Sequence, residues 1–402
     1  MPFRVLIGLS VGSGVEAADA TVVHTDGTGP ALSARVAGTA RVSLGAELRD
    51  AGRHLLRQAD PWPTGLAREL AAELAMAARK AVGTAGGDLR DVLCAGFLTR
   101  LPDANPDPDR PSGSVADFLA EQTGLTVVAG FRGRDVAAGG SGHLLTAAAD
   151  AALFRDPGEE RLLIHLGSVT SVLRIPPGGK PSEITGFEAG PGNRLLDDLT
   201  ALGTRGRDLC DHGGTRAVQG RCLEPLLARW LAHPVLARKP PKAVPRAAFG
   251  APFLTDAFET ARASGGTLND LLCTATHSVT RCVGRDCETW LPPIAGLRRV
   301  LVSGGGSRNG FQWKLLEQQF PGQSVERIDA VGVPTTARSA AAAAVLAGLT
   351  LDGVAANLPL VTGAAGGRLV GRIVPGDQRS WSACIAWMTE QVNGYSAFPR
   401  AA

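Results

Sequence analysis

The clearest pattern in the chain is an apolar run, a short glycine-rich turn and a second apolar run, and it occurs twice. Residues 3–23 have this arrangement around a turn at 12–14, and residues 162–175 have it around a turn at 167–170. Apolar, β-prone runs on either side of a glycine turn are typical of hairpins. The recurrence predicts two similar α/β modules with a cleft between them rather than one continuous sheet.

Helical and strand patterns alternate after each predicted hairpin. Leu66, Leu70 and Leu74 recur at helical spacing within residues 65–82, which predicts a structural helix packed on a sheet. Proline and Asp or Asn crowd residues 103–113, which predicts a surface loop. The remaining predicted elements are strands at 125–129 and 299–303 and helices at 146–154, 309–320 and 381–392.

Length and composition indicate a folded protein, long enough for two domains of ordinary size, with one very large domain as the alternative. The chain has 402 residues, of which 44% are hydrophobic and 20% charged, values typical of a globular enzyme. The 41 basic and 38 acidic residues are mixed along the sequence, so no nucleic-acid-binding face is indicated. The N-terminus lacks the layout of a secretion signal, and the uncharged run at 339–351 is shorter than the roughly 20 residues of a membrane span. We therefore expect a cytoplasmic protein with no membrane partner.

The cysteines do not indicate a disulfide framework or a zinc site. There are seven, an odd number, and no pair has CxxC spacing. Cys210, Asp211 and His212 could ligate a metal, but their position beside a Gly-Gly turn favours an ordinary loop.

Four glycine turns could hold the phosphates of a nucleotide. Glycine allows backbone N–H groups to converge on an anion, and a following helix N-terminus adds a favourable dipole. Ordinary hairpin geometry is the alternative explanation for each turn. The candidates are Gly12, Ser13 and Gly14; Gly167 and Ser168; Gly190 to Gly192; and Gly304, Gly305 and Gly306.

The known nucleotide motifs of other folds are absent from the sequence, which contains no GxxxxGK[ST] loop and no complete dinucleotide fingerprint. Phosphoryl transfer also needs carboxylates to hold Mg²⁺ and to handle a proton. Glu16, Asp19, Asp135 and Glu188 lie beside the glycine turns and are the candidates; surface charge is the alternative for each.

In order and spacing, these segments resemble the anhydro-N-acetylmuramic acid kinases as far as about residue 376. Residues 8–19, GLSVGSGVEAAD, are similar to that family's phosphate signature GxMSGTSLDGVD. Residues 130–142 resemble its DFRRRDIALGGQG segment, and residues 186–193 its GxDTGPGN segment. Residues 302–309 resemble its adenosine loop, and later markers are found at 330–332 and 357–364.

The resemblance implies an α/β fold of the duplicated actin/hexokinase-like, ribonuclease H-like type, with a central nucleotide cleft. It assigns residues 1–129 to an N-terminal ATPase subdomain and residues 130–376 to a C-terminal one. Residues 377–402 form a helical extension beyond the region of resemblance.

The resemblance also implies an activity that uses ATP and Mg²⁺. Such a kinase opens the ring of 1,6-anhydro-N-acetylmuramic acid with water and phosphorylates O6, giving N-acetylmuramic acid 6-phosphate in peptidoglycan recycling. The partner is this amino sugar, and a homodimer is possible in this family.

Roles for particular residues follow from the same resemblance. Glu188 falls at the base that activates water, and Arg134 with Asp135 at the pair that holds the sugar; Asp135 is also a candidate catalytic residue. Glu16 and Asp19 are the candidate Mg²⁺ ligands. The implied ATP contacts are Gly12, Ser13, Gly14, Glu16, Asp19, Gly167, Gly190, Gly192, Asn193, Gly304, Gly305, Gly306 and Asn309.

Several positions depart from the family pattern where the chemistry is expected. Glu188 replaces an Asp, which moves the carboxylate outward by one methylene, and displacement by about 1 Å can lower a rate about a hundredfold. Residues 95–98, AGFL, replace HGQT, and residues 242–246, KAVPR, keep only the basic ends of KSTGR. The alternatives are therefore a weak or silent family member that binds nucleotide or sugar, and a kinase of another carbohydrate.

Overall fold

The computed structural model describes residues 3–58, 60, 62–99, 114–292 and 297–394. The proline-rich loop predicted at 103–113 lies outside the described residues. The chain forms two compact units: the first comprises residues 1–153, 332–359 and 364–402, and the second comprises 154–331 and 360–363. The resemblance predicts subdomain boundaries at 129/130 and 376/377. The compact units divide the chain at other points, and the predicted boundaries of the functional subdomains stay a prediction.

A mixed sheet of six strands forms the centre of the first unit. The predicted hairpin is confirmed, because β1 and β2 pair antiparallel from Phe3 opposite Asp26 to Val11 opposite Ala18. β3 pairs antiparallel with β2, whereas β4 and β5 continue parallel from β1, and the order is β11-β5-β4-β1-β2-β3. The strands are β1 (Phe3–Val11), β2 (Ala17–Asp26), β3 (Ser33–Ser43), β4 (Val92–Leu98), β5 (Val127–Ala129) and β11 (Arg372–Val374).

The second unit contains a five-stranded sheet that repeats this connectivity. β6 and β7 form the second predicted hairpin, β8 pairs antiparallel with β7, and β9 and β10 continue parallel from β6. The order β10-β9-β6-β7-β8 is the same as that of β5-β4-β1-β2-β3 in the first sheet. The strands are β6 (Arg161–Leu166), β7 (Val169–Ile175), β8 (Thr185–Pro191), β9 (Arg299–Ser303) and β10 (Ser324–Arg327).

This repeated strand order confirms the predicted fold class, a duplicated ribonuclease H-like α/β architecture. The first two strands of each module were predicted from the sequence, and the strands predicted at 125–129 and 299–303 are confirmed as β5 and β9. The strands β3, β4, β8, β10 and β11 were not predicted. Small, polar and basic residues make up most of β3, and most of its positions are exposed or half-buried, so its sequence lacks the apolar pattern of a strand. β8 ends in Gly190 and Pro191, which suggested a turn rather than a paired strand.

Helices cover the sheets, and all the helices predicted from the sequence are among them. The helix predicted at 65–82 is confirmed as α2, and those predicted at 146–154, 309–320 and 381–392 as α5, α10 and α13. The helices are α1 (Ala46–Gln58), α2 (Thr64–Thr84), α3 (Val115–Thr123), α4 (Arg132–Ala137), α5 (Ala147–Phe154), α6 (Asn193–Gly203), α7 (Glu224–Leu231), α8 (Ala251–Ala263), α9 (Leu268–Trp290), α10 (Gly310–Glu317), α11 (Arg338–Leu351), α12 (Pro359–Thr362) and α13 (Gln378–Gly394).

The alanine-rich helix α11 packs against β1 and β4 at backbone distance. A Cβ atom at Gly8 would lie 1.6 Å from the Ala340 carbonyl oxygen, and one at Gly96 would lie 2.0 Å from the Ala343 carbonyl oxygen. Both distances are far below a van der Waals contact. Only glycine on the strands, facing small residues on the helix, allows this approach.

Helix α13 packs on the first unit through a buried ion pair. Arg4 on β1 binds Asp352 with both guanidinium NH groups, and these two side chains are 3% and 1% exposed. The Trp387 indole N–H donates to Asp352 Oδ1 at 2.9 Å, and the Arg4 guanidinium lies 4.6 Å from the centre of the indole ring. The helical extension is therefore attached to the first sheet.

We predict that replacing Gly8 with alanine destabilises the protein strongly. The new methyl group cannot fit between β1 and the α11 backbone, and overpacking of this kind costs about 1–3 kcal/mol or more. Gly83→Ala is the matched control, since α2 leaves nothing within 4 Å of a Cβ there and alanine is the better helix former by up to about 1 kcal/mol. Thermal and urea unfolding measure the difference. Equal stability of the two variants would contradict the close packing of α11.

Candidate active site

The turn between β1 and β2 leaves its backbone open to solvent. Gly12, Ser13 and Gly14 are exposed, and a Cβ atom at Gly12 would have no neighbour within 4 Å. The Val15 N–H donates to the Gly12 carbonyl at 3.0 Å, and Val15 is buried with a φ of 51°, an uncommon conformation for a β-branched residue. A small ligand can therefore approach the backbone at the tip of this turn.

Two arginines of α1 lie beside this turn. Arg53 Nε donates to the Gly14 carbonyl at 3.1 Å, and the same guanidinium pairs with the carboxylate of Glu16. Arg49 lies 3.8 Å from the other oxygen of Glu16, which is half exposed. The turn thus has guanidinium groups next to its carboxylate, and such groups suit an anion such as phosphate. The role of Glu16 as a Mg²⁺ ligand stays a prediction.

Asp19 is buried on β2 between the neighbouring strands. It lies opposite Ser10 on β1 and Arg41 on β3, and Arg41 Nη1 lies 3.0 Å from its Oδ1. Burial raises the pKa of Asp19 to about 6, although the Arg41 guanidinium acts in the opposite direction. The Ser10 hydroxyl next to it is buried and has no hydrogen-bond partner among the described residues. This carboxyl can therefore change its protonation state near neutral pH.

The described residues contain no group of three or more His, Cys, Asp or Glu side chains arranged to hold a metal. Cys210 Sγ lies 3.5 Å from His212 Nε2, whereas the Asp211 carboxylate accepts the Arg216 and Ala217 N–H groups. Mg²⁺ commonly uses only one or two protein carboxylates together with the phosphates of its nucleotide. Glu16 and Asp19 could fill that role, but both are paired with arginine in this structure.

Asp135 has its whole side chain inside the first unit. Its Oδ2 accepts the Gly142 N–H at 2.8 Å, and its Oδ1 accepts the Asn357 amide N–H at 2.8 Å. A Cβ atom at Gly140 would lie 2.3 Å from Asp135 Oδ2, so the loop wraps closely around the carboxylate. Arg134, the neighbouring residue on α4, is exposed. The carboxylate therefore organises the loop after α4, and the exposed Arg134 precedes it on the same helix.

The turn after β6 is packed against the start of α6 in the second unit. The Asn193 N–H donates to the Gly167 carbonyl at 2.8 Å, and the Asn193 side-chain amide donates to the Leu166 carbonyl at 3.0 Å. A Cβ atom at Gly192 would lie 2.3 Å from the Gly167 carbonyl oxygen. The residues around Gly167 and those around Gly192 and Asn193 therefore form one glycine-dependent cluster at a helix N-terminus.

The glycine loop after β9 joins the same cluster. Gly304 has a φ of 89°, and a Cβ atom there would lie 2.5 Å from the Leu166 carbonyl oxygen. A Cβ atom at Gly306 would lie 2.7 Å from Asn193 Oδ1. Asn309 instead caps α10, since its Oδ1 accepts the Gln312 N–H at 2.9 Å. In this structure the Asn309 side chain has a structural role at the end of the loop.

Glu188 lies on β8 two residues before Gly190 and is buried at 6% exposure. It pairs with Ser171 on β7, and its Oε2 accepts the Val244 N–H at 2.6 Å. Its own N–H donates to the Lys242 carbonyl at 3.2 Å. Gly190 lies close to α9, where a Cβ atom would be 3.1 Å from Cys282 Cβ. The predicted base is thus a buried carboxylate oriented by the backbone of residues 242–244.

The structure groups the predicted residues by unit. Gly12, Ser13, Gly14, Glu16 and Asp19 lie together at the first hairpin, and Arg134 and Asp135 lie on α4 of the same unit. Gly167, Gly190, Gly192, Asn193, Glu188, Gly304, Gly305, Gly306 and Asn309 belong to the second unit. The predicted cleft between the halves stays a prediction.

Sequence reasoning missed three contributors to these sites. Arg53 reaches the first turn from α1, a helix that was not predicted from the sequence. Val244 acts through its backbone N–H, which leaves no trace in side-chain identity. Asn357 was recognised within a late marker, but its contact with Asp135 spans 222 positions of sequence.

The residues present are compatible with a nucleotide. Close backbone approaches at Gly192, Gly304 and Gly306 place three loops of the second unit together beside the N-terminus of α6. Loops of this kind cradle phosphate, and the helix dipole favours negative charge. The first hairpin offers an open glycine turn flanked by arginine. Two modules of the same strand order, each with a glycine turn at its first hairpin, are the arrangement of the actin/hexokinase-like ATPase fold.

Comparison with known proteins identifies the family. The profile of the family described as anhydro-N-acetylmuramic acid kinase matches residues 5–376. The chain is 33% identical over 384 residues to the anhydro-N-acetylmuramic acid kinase of Cupriavidus metallidurans, covering 92% of this chain and 98% of that protein. It is 31% identical over 379 residues to the kinase of that name from Nitrosomonas europaea, covering 92% and 99%. The chain belongs to the anhydro-N-acetylmuramic acid kinase family.

A solved structure also aligns with most of the chain. The activator of 2-hydroxyisocaproyl-CoA dehydratase from Clostridium difficile with bound ADPNP is 12% identical, with a TM-score of 0.43, over 86% of this chain and 94% of that one. Family membership implies a kinase with ATP as the phosphoryl donor and a small sugar as the acceptor. Within the described ranges, no helix combines the length and apolar character needed to cross a membrane.

We predict that the stability contributed by Asp19 depends on pH. A carboxyl group whose pKa is raised on folding binds its proton more tightly in the folded state, so its contribution is lost as pH rises from about 4 through about 6. Relative to Asp19→Asn, the parent protein should lose about 2 kcal/mol of unfolding free energy between pH 4 and pH 7.

Urea unfolding at several pH values measures this difference. Asp26→Asn, at an exposed position of the same strand, is the matched control. For each variant, the free energy of unfolding is subtracted from that of the parent at every pH. If this difference changes with pH no more for Asp19→Asn than for Asp26→Asn, the prediction is contradicted.

Proposed function

We propose that this protein is an ATP-dependent kinase of 1,6-anhydro-N-acetylmuramic acid. The reaction opens the anhydro ring with water and gives N-acetylmuramic acid 6-phosphate, a step of peptidoglycan recycling and amino-sugar catabolism. The observation that supports it is the buried Glu188 carboxylate, oriented by the Val244 N–H on the strand that leads into Gly190, Gly192 and Asn193. This is where the resemblance to the family assigns the base. A cytoplasmic location and a homodimer stay predictions.

In the proposed reaction, Glu188 takes a proton from water while the water oxygen bonds to C1 of the sugar. The bond between C1 and O6 breaks, and O6 accepts a phosphoryl group. ATP, with Mg²⁺ bound to its phosphates, would supply that group, and ADP would leave. The buried position of Glu188 limits its contact with bulk water, which suits a base that must act on one oriented water molecule.

The first unit would supply the sugar contacts and part of the phosphate site. Arg134 is exposed on α4 and can pair with the carboxylate that a muramic acid carries. Asp135 uses both oxygens to hold Gly142 and Asn357, and we propose that it acts by fixing the loop beside Arg134. The backbone of Gly12, Ser13 and Gly14, with Arg53 beside it, would face the nucleotide phosphates.

We predict that Glu188→Gln lowers product formation by about a hundredfold to ten-thousandfold, because the variant keeps the shape of the side chain but cannot accept the proton. Purified protein with Mg·ATP and 1,6-anhydro-N-acetylmuramic acid is assayed for the 6-phosphate. Glu183→Gln, at an exposed position just before β8, is the matched control. If Glu188→Gln forms the product at the same rate as the parent, Glu188 is not the base.

A second candidate function is a family member that binds nucleotide but phosphorylates another carbohydrate or none. The observation that favours it is β4, where residues 95–98 replace the family's polar HGQT. Phe97 is 1% exposed and packs in the hydrophobic core of the first unit. Its ring supplies no polar group to a sugar.

We predict that calorimetry detects Mg·ATP binding to the parent and to Glu188→Gln with the same affinity, because Glu188 is assigned to water and not to the nucleotide. Binding of ATP without turnover of the anhydro sugar would favour the second candidate. Absence of ATP binding would contradict both functions, and turnover would decide for the first.

A further inference from the structure

The segment at 242–244 runs alongside β8 and holds Glu188 at two points. The Glu188 N–H donates to the Lys242 carbonyl at 3.2 Å, and the Val244 N–H donates to Glu188 Oε2 at 2.6 Å. The first bond aligns the two backbones, and the second orients the side chain. The position of the carboxylate therefore depends on where residues 242–244 lie.

A buried ion pair anchors this segment to α9. Lys242 Nζ lies 2.5 Å from Asp286 Oδ2 and donates to the Leu236 carbonyl at 3.0 Å. The side chains of Lys242 and Asp286 are each 1% exposed. Asp286 also accepts from Arg285, so its second oxygen is satisfied. Helix α9 packs directly against β7 and β8. The ion pair and the strand that carries Glu188 therefore both contact the same helix, α9.

Stability alone is a poor explanation for this ion pair. Removing two charges from water is costly, and apolar side chains of similar volume often stabilise a protein as well or better. The Lys242 ammonium lies over the apolar ring of Phe187, with Nζ 5.6 Å from the ring centre. In some proteins, however, a buried ion pair fixes one conformation of the backbone that carries it. The segment that carries Lys242 is the one that hydrogen-bonds Glu188.

We propose that Lys242 and Asp286 are positioning residues that act through Val244 on the carboxylate of Glu188. This inference rests on the proposed function, in which Glu188 is the base. Glu188 is one methylene longer than the family's Asp, and the Val244 N–H restricts where its carboxylate can lie. Loss of the anchor would let both move, and misplacement by about 1 Å can lower a rate about a hundredfold.

The test removes both charges together, because a single substitution would leave an unpaired buried charge. We expect Lys242→Met combined with Asp286→Asn to lower kcat at least tenfold and to leave KM for ATP unchanged. The Val244 amide should also exchange its hydrogen faster. Arg4→Met combined with Asp352→Asn is the matched control, a pair of similar burial in the other unit, with no expected change in kcat per folded molecule or in Val244 exchange.

Combination with Glu188→Gln separates positioning from general damage. If the pair acts through Glu188, removing it in the Glu188→Gln background should lower kcat no further, whereas general loss of folded protein would lower kcat by the same factor in both backgrounds. The latter result would overturn the inference. Unchanged Val244 exchange in the Lys242→Met, Asp286→Asn protein would also overturn it, even if the parent shows no kinase activity.

A second variant covers a failure of the double substitution to fold. Val244→Pro removes the backbone N–H that donates to Glu188 Oε2 and leaves the ion pair in place. We expect the same loss of kcat with ATP affinity unchanged. Full kcat in Val244→Pro would overturn the inference, because the contact through which the pair acts would then be dispensable. Failure of the proposed function itself would be seen separately, as absence of product with the parent protein.

Discussion

The backbone contact between α11 and the first sheet is the constraint on which the first unit depends. Gly8 and Gly96 lie on adjacent strands and leave no side chain between the sheet and Ala340 or Ala343. This contact returns residues 332–359 to the unit that residues 1–153 begin. Because Asn357 follows α11, its hydrogen bond to Asp135 depends on the packing of this helix against β1 and β4. The loop beside Arg134 therefore depends on glycines far from it in sequence.

The carboxylates assigned to the site are all engaged by protein groups. Glu16 and Asp19 pair with arginines, Asp135 holds backbone and amide N–H groups, and Glu188 accepts the Val244 N–H. Fixed partners of this kind orient a charged group before a ligand arrives, and preorganisation is a large part of how enzymes stabilise charge. Only Asp19 combines such a partner with a pKa raised to about 6.

The two units carry different degrees of departure from the family pattern. In the second unit the glycines of three loops lie where backbone approaches backbone, so side chains could not replace them without displacing the loops. In the first unit, Phe97 replaces a polar residue of the family within β4 and is absorbed into the apolar core. A core accepts an apolar substitution easily, whereas a close backbone contact accepts none. We therefore expect the glycine loops of the second unit to tolerate fewer substitutions than Phe97.

Local sequence patterns were sufficient to predict the hairpins, the helices α2 and α13 and the fold class, because these depend on periodicity and on glycines at turns. The sequence also indicated Glu188, Asp135 and the glycine loops, through motifs that lie within about a dozen residues. The strands β3, β4, β8, β10 and β11 were not predicted. Of these, β3 and β8 lack a clear strand pattern and form by pairing with β2 and β7.

The partners of the candidate residues are evident only in the folded structure. Arg53 binds the Gly14 carbonyl, and Asn357 binds Asp135. Asp286 binds Lys242 in the segment whose backbone holds Glu188. These contacts join residues from 39 to 222 positions apart. Hydrogen bonds depend on distance and direction in space, and a backbone N–H has the same chemistry at nearly every position. No pattern along the chain could therefore reveal which of them meets a given carboxylate.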